Sequence, residues 1–406
     1  MERVEARRGL VLVFFILFLD VIGIGIIMPV LPRFLEELTG GTLGDAARKG
    51  GWLLLVYALM QFIFAPIMGN LSDRYGRRPL LLASVFTFAI DNLISAMAGS
   101  YAVLFIGRLL AGISGSSYST CSAFIADIST DEDRAKNFGL IGIAFGAGLV
   151  LGPIAGGLLG IFGPRVPFYG AAALAMANFI VAWFLLPETL PLKDRRAFDW
   201  RRAHAFGALS HLRRYPGTLI LGSVLFLHWL GHEVYPSAWS FVVAARYGWN
   251  EAQIGMSLGA FGVGSVIVSA WVLPRMAPVL GEPKMAAIGL FFAAAALAGH
   301  AMATQGWMIY AILFLTVLES LSEPSIRSLA AAQVPASEQG ELQGALSSLF
   351  SVTTIAGPLL FTQLFGFFTE PSAPLQFPSA PFALAALFHF LALGLFLFRR
   401  NLSHKL

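Results

Sequence analysis

The chain has 406 residues, of which 57% are hydrophobic and only 12% charged, with 42 glycines and a mean hydropathy of +0.74. Soluble domains carry about 25% charged residues, so a water-soluble enzyme is excluded and the chain reads as an all-α polytopic protein of the lipid bilayer. Its net charge of +4 sits in short loops between apolar runs, so the basic balance describes orientation in a membrane, and no nucleic-acid partner is expected.

A hydrocarbon core about 30 Å thick takes roughly 20 apolar residues per helix. Twelve runs qualify, at 9–31, 50–71, 79–98, 101–126, 135–159, 166–186, 216–244, 252–273, 284–303, 307–332, 342–368 and 380–398. Arg7-Arg8 before the first run imitates a signal peptide, but the run continues through Asp20 to Pro29 with no small-residue cleavage site and is expected to be retained. With the N-terminus in the cytoplasm, Arg3, Arg7, Arg8, Arg74, Arg77, Arg78, Arg134, Lys136, the 193–214 cluster, Arg275, Lys284, Arg399, Arg400 and Lys405 all fall inside. Only Arg33, Arg48, Lys49, Arg165 and Arg246 fall outside, which places both termini in the cytoplasm. The single cysteine, Cys121, permits no intrachain disulfide.

The first run holds Asp20 and the third holds Asp91, each a dozen or so residues deep. A charge at mid-bilayer costs about 2.5–3.5 kcal/mol on insertion scales, so both acids must face protein or water, and both are candidates for carrying a coupling proton. Between the second and third runs the chain surfaces as GNLSDRYGRRP, Gly69 to Pro79. Asp73 stands at a helix end, where it can meet the N-terminal dipole of a neighbouring helix, and Arg74, Arg77 and Arg78 can bind its carboxylate, other helix ends or headgroups. Arg108 is the one basic residue well inside a first-half run and needs a carboxylate or helix carbonyls; beside Asp20 it would form a proton switch, while the alternative is a static brace. The fifth run carries Gly142, Gly146, Gly148, Gly152, Pro153, Gly156 and Gly157, where four-residue glycine spacing makes a flat face for close helix contact.

Residues 187–215 form the longest polar interruption and divide the chain into bundles at 1–186 and 216–406, six helices each. Its Lys193, Arg195, Arg196, Arg201, Arg202, Arg213 and Arg214 beside Phe198 and Trp200 suggest an amphipathic segment at the inner interface. The halves are weak repeats: LPRMAPVLGEPK from Leu273 answers the charged turn without its acid, and Gly152-Pro153 recurs as Gly357-Pro358. Such duplication places a substrate site near the midplane, at the repeat interface. In the second half the ninth run has His300 as its only ionisable group. Acids stand instead at Glu233, beside His228 and His232, and at Glu319 and Glu323, four apart and expected on one helical face. Histidine and glutamate here suit a proton relay better than a metal site, and no metal is expected. Tyr57, Gln61, Trp239, Phe241 and Phe261 can line a cavity for a planar compound, with His228 and His232 at its edge. The glycine-rich Gly112–Ser117 lies within a span, so a phosphate loop is excluded by context, and the energy source must be an ion gradient.

GNLSDRYGRRP resembles the signature loop of the major facilitator superfamily, a fold of twelve helices in two six-helix bundles. LDVIGIGIIMPVLP from Leu19, YALMQFIFAP from Tyr57, GRLLAGISG from Gly107, GIAFGAGLVLGPIAGG from Gly142 and RYGWN from Arg246 resemble the tetracycline/proton antiporters of that superfamily. The resemblance implies a conformational latch at Asp73 and its arginines, a part for Arg108 in proton transfer, a match of Asp91 to an acid of those exporters, and export rather than uptake from the fifth-helix glycines. It also implies a drug chelated to magnesium as a candidate substrate form, with no resident cofactor and a monomeric chain. Those exporters carry an acid in the ninth helix where this chain has none, so Glu233, Glu319 or Glu323 has taken over or the substrate differs. The expected function is proton-coupled export of a tetracycline-like or other amphipathic drug by alternating access. The rivals are a proton-coupled carrier of a small metabolite and a non-transporting receptor or scaffold.

Overall fold

Proline and glycine set where the apolar runs stop. In the computed structural model, which describes residues 3–115, 117–130, 132–198 and 216–403, α1 (Arg3–Ile27) ends four residues earlier than the run suggests, because Pro29 has no N–H to continue the ladder. A turn then leads into α2 (Leu31–Thr39), which has Pro32 in its first turn and closes on Gly40 at φ 63°. Thr42 opens α3 (Leu43–Tyr75) by a reciprocal cap, its Oγ accepting from Asp45 N at 3.2 Å while Asp45 Oδ2 accepts from Thr42 N at 3.1 Å. There follow α4 (Arg77–Met97), α5 (Tyr101–Ser114), α6 (Ser117–Ile128), α7 (Arg134–Gly160) and α8 (Val166–Leu185). The second half supplies α9 (Pro216–His232), α10 (Val234–Ser237), α11 (Trp239–Tyr247), α12 (Glu251–Ile267), α13 (Leu273–Leu280), α14 (Glu282–Met302), α15 (Gly306–Thr316), α16 (Ser322–Ala331), α17 (Gln339–Thr369) and α18 (Ala380–Ser403).

Every regular element among the described residues is helical, and ten continuous helical stretches are long and apolar enough to cross a bilayer. The other two expected spans are present but interrupted, α5/α6 at Gly115 and α9 to α11 at Glu233 and Ala238. A π turn at Val268–Val272 joins α12 to α13, and a 3-10 turn at Val317–Leu321 joins α15 to α16. The expected amphipathic segment around Trp200 falls mostly on 199–215, outside the described residues.

The helices gather into two compact units. The first takes the described residues up to Gly40, those from Val56 to 198, and Asn250–Gly259. The second takes Gly41–Leu55, residues 216–249 and those from Ala260 on. In the first, Leu12, Ile16, Leu81, Val85, Phe124 and Ala182 form the centre of a buried core. In the second, Leu221, Leu225, Leu290, Leu346 and Phe396 do the same. Gly51 in the second unit sits against Thr362 of α17, close enough that a methyl group there would collide with the threonine hydroxyl.

The expected repeat has a structural counterpart. One glycine with positive φ joins α3 to α4, Gly76 at 104°, and one joins α13 to α14, Gly281 at 75°. Arg165 donates to the carbonyls of Ala96 and Ala98 at the end of α4, at 2.8 and 2.7 Å. Arg246 does likewise at the end of α14, to Ala301 at 3.2 Å and Ala303 at 2.6 Å. The four arginines expected on the outer face are therefore each engaged, since Arg33 pairs with Glu37 and Glu251, at 2.9 and 3.2 Å, and Arg48 pairs with Glu370.

Candidate functional site

In the first unit Asp20, in the C-terminal third of α1, accepts a hydrogen bond from Ser117 Oγ of α6. Asp91 of α4 is 1% exposed at its side chain and pairs with Arg108 of α5, Oδ2 to Nη2 at 2.5 Å, while the same Nη2 reaches Ser95 Oγ at 3.2 Å. The cation expected beside Asp20 thus belongs to Asp91. Asp20 has a neutral hydroxyl partner, one that can bond either the ionised or the protonated acid. Gln61 Nε2 donates to the Gly115 carbonyl at 2.8 Å, filling an acceptor that the break between α5 and α6 leaves open. Tyr57 stands on the same stretch of α3, and its hydroxyl lies 2.9 Å from where a Cβ on Gly115 would sit.

Gly148, Gly152 and Gly156 of α7 form the expected flat face, laid against α1. A Cβ on Gly152 would stand 2.9 Å from Gly25 Cα and 3.0 Å from the Ile22 carbonyl oxygen. Gly157 turns instead to the start of α12, 3.1 Å from Gly255 Cα on the same measure, and Pro153 packs its ring on Gly25. Gly142 meets nothing within 4 Å, and Gly146 is half-buried, so contact is made by the C-terminal part of the motif.

The charged turn is folded onto its own unit. Arg77 is 9% exposed and gathers Asp73 at 2.5 Å, Ser72 Oγ at 2.7 Å and Asp127, at the end of α6, at 3.1 Å. The carboxylate that meets the first N–H groups of α4 is not Asp73 but Glu188, whose Oε1 accepts from Arg77 N at 2.9 Å. Arg78 donates to the Trp183 carbonyl near the end of α8 at 2.6 Å, and Arg196 N donates to the Asp73 carbonyl at 3.0 Å. Arg74 is exposed and lies over the Tyr75 ring, and Gly69 brings α3 to ordinary contact with Ser119. The counterpart Arg275 bonds the carbonyl of Trp271, four residues before it, at 2.9 Å, and no acid stands at the position that answers Asp73.

In the second unit Glu319 lies in the 3-10 turn, 3% exposed, and holds His232 Nε2 at 3.3 Å and Tyr235 Oη at 3.2 Å. The 3-10 turn interrupts the α-helical spacing, and Glu323 pairs with Arg327 at 2.8 Å, an i,i+4 partner that the sequence reading passed over. Glu233 is buried at the break between α9 and α10, and Gly357 of α17 leaves the space its side chain occupies. His228 is 3% exposed and bonds His389 of α18, a residue no local pattern in the sequence singled out. His300 pairs with Thr316 Oγ1 at 3.0 Å. Trp239 and Phe241, expected at a cavity wall, are 1% exposed; Trp239 packs on Tyr235, His300 and Phe382. Half-buried Phe261 stacks on Tyr235, with ring centroids 4.9 Å apart. Among the described residues no group of three or more His, Cys, Asp or Glu could hold a metal ion.

Known proteins resemble this chain over most of its length. The chain is 37% identical over 364 residues to the class C tetracycline resistance protein of Escherichia coli, covering 89% of this chain and 90% of that one. It is 38% identical over 360 residues to the class G protein of Vibrio anguillarum, covering 88% and 91%. Multidrug resistance protein 2 of Bacillus subtilis is 26% identical over 356 residues, covering 86% of each chain. The crystal structure of a bacterial homologue of the human lysosomal transporter Spinster, inward-facing and unoccupied, superposes with a TM-score of 0.76 at 14% identity, covering 98% of this chain and 97% of that one. The human organic anion transporter MFSD10 gives a TM-score of 0.68 at 24% identity over 98% of this chain and 100% of its own. The Major Facilitator Superfamily model matches residues 13–358 and, a second time, 221–405, which agrees with the internal duplication. With its helical architecture, its Gly69–Pro79 turn and this match over most of its length, the chain belongs to the major facilitator superfamily.

Proposed function

We propose that this protein exports an amphipathic, tetracycline-like drug across the bacterial inner membrane in exchange for protons, by alternating access and with both termini in the cytoplasm. The observation that carries the reading is the division of labour in the first unit. Asp91 is committed to Arg108 at 2.5 Å, so protonating it strands a buried guanidinium, whereas Asp20 faces only the Ser117 hydroxyl and can change charge without breaking an ion pair. Asp20 is therefore the proton carrier of this half and the Asp91–Arg108 pair its fixed brace. Glu233 and Glu319 are the acids of the second half; Glu323, paired to Arg327 and 39% exposed, has the weaker claim.

Of the expected cavity set, Tyr57 and Gln61 in the first unit and His232 and Phe261 in the second keep some exposure, and they offer hydroxyl, amide, imidazole and aromatic contacts to a drug. His228 and Trp239 are buried supports. The Asp73, Arg77 and Asp127 cluster is the conformational latch, and the glycine faces of α7 set how closely helices approach. The kinship with tetracycline resistance proteins supports a drug of that class; that it travels magnesium-chelated or free, through a monomer, is part of the same proposal.

The test is dequenching of a pH-sensitive dye in inverted membrane vesicles on adding tetracyclines and other amphipathic drugs, with Asp20→Asn as control. Drug-evoked proton movement in the wild type that Asp20→Asn abolishes is the expected result. Equal proton movement in the variant would remove Asp20 from the mechanism, and none with any drug would remove the export reading.

A further inference from the structure

A row of four hydrogen bonds crosses the second unit from α18 to the 3-10 turn. His389 Nδ1 faces the Ala385 carbonyl at 2.8 Å, His389 Nε2 faces His228 Nδ1 at 3.1 Å, His228 Nε2 faces Ser322 Oγ at 3.2 Å, and Ser322 Oγ donates to the Glu319 carbonyl at 2.6 Å. Both ends are backbone carbonyls, which only accept. Each of the four links needs one proton. The neutral side chains supply three, one from each imidazole and one from the hydroxyl.

The shortfall is forced by the order of the groups. The Ala385 carbonyl fixes the His389 proton on Nδ1, which makes its Nε2 an acceptor and places the His228 proton on Nδ1. His228 Nε2 is then an acceptor as well. It competes with the Glu319 carbonyl for the single hydroxyl proton of Ser322. One added proton on His228 Nε2 resolves the conflict, since the imidazolium donates to Ser322 Oγ and the hydroxyl donates onward to Glu319.

We propose that the His228, His389 and Ser322 row is a proton-storing site, which binds one proton beyond its neutral complement. The proton comes from water and no bond other than N–H is made. Its way in is His232, whose side chain is 42% exposed and shares α9 with His228. Glu319, whose carbonyl ends the row, turns its carboxyl group to His232 and Tyr235. The site is built for the ring it holds, because a Cβ on Gly231 would stand 2.5 Å from His389 Nδ1.

Other titratable groups stand on the packed elements, with Glu282 and Lys284 at the start of α14. Glu233 lies at the end of α9, the Glu323–Arg327 pair on α16, and His300 of α14 is bonded to Thr316. Glu341 of α17 and Arg399 of α18 lie at the ends of their helices. Use of the stored proton in transport rests on the export reading above, but the storage itself does not.

The test is nitrogen-15 NMR of histidine-labelled, full-length protein in lipid nanodiscs without drug. Between about pH 5 and pH 8 the wild type is expected to show the His228 or His389 imidazole, assigned by single His→Gln variants, protonated on both nitrogens. That signal is expected to be lost in Ser322→Ala, which removes the competition for a proton and keeps both rings, and in His228→Gln, which cannot hold the charge. Only neutral tautomers for His228 and His389 over that range, or a cation that persists in Ser322→Ala, would overturn the proposal. The vesicle assay is read separately. A cation without drug-evoked proton movement defeats export and leaves storage standing, and the reverse result defeats storage alone.

Discussion

Replacing Arg108 by alanine removes the cation from an acid that is 1% exposed and bound to it at 2.5 Å. Breaking a buried ion pair from one side costs about 3–5 kcal/mol, because the remaining charge is stranded in a medium that cannot solvate it. At roughly 1.4 kcal/mol per factor of ten, that is about a thousandfold in the folded-to-unfolded ratio. The pair is incompletely bonded even when intact, since Asp91 Oδ1 and Arg108 Nε have no hydrogen-bond partner among the described residues. Its net worth against a neutral replacement is therefore small. Asp91→Asn combined with Arg108→Gln is expected to recover most of what Arg108→Ala loses. Equilibrium unfolding in mixed micelles, run as a double-mutant cycle on the two positions, measures both quantities. A loss below about 1 kcal/mol in Arg108→Ala, or a double variant no more stable than the single, would show that the pair is not the fixed brace described above.

Gly76→Ala is expected to loosen the charged turn, because φ 104° disfavours any side chain and the added Cβ would collide with the Glu188 carboxylate; a strain of about 1–3 kcal/mol should appear as faster proteolysis at the α3–α4 junction. Gly152→Ala puts a methyl group 2.9 Å from Gly25 Cα, and overpacking of about 1–3 kcal/mol should lower thermal stability; an unchanged melting point would show that α1 and α7 can part freely. Glu36, on α2 outside the spans, has its carboxyl pushed up by burial, so the folded state holds its proton longer than the unfolded chain does. Stability should then fall as pH rises through and above the ordinary glutamate range, and Glu36→Gln should flatten that slope in thermal melts across pH.

Charge placement and apolar length were enough to find the spans, because hydrocarbon tolerates neither open backbone nor free charge. The interruptions were not legible. Nothing local in VLESL predicts a 3-10 turn, and that turn breaks the even α-helical spacing between Glu319 and Glu323. The acids of the charged turn show the same limit. Asp73 could be read from its neighbours, whereas Asp127 and Glu188 reach Arg77 from 50 and 111 residues away, a pairing only packing decides. His389 illustrates it further, being 161 residues from the ring it bonds and in an apolar helix with no polar neighbour to mark it. Arg108 was correctly expected to need a carboxylate, but depth along a helix does not say which of two acids faces it.

The seam between α1 and α7 is made largely of main chain, Gly152 against Gly25 and Gly156 against the Ile26 carbonyl. Where two side chains meet, an enlargement on one can be matched by a reduction on the other, and a lineage can drift through paired changes. Here neither partner has atoms left to give up. Any replacement adds bulk with no possible reciprocal loss, so this seam is closed to stepwise compensation and its helices must keep their composition together.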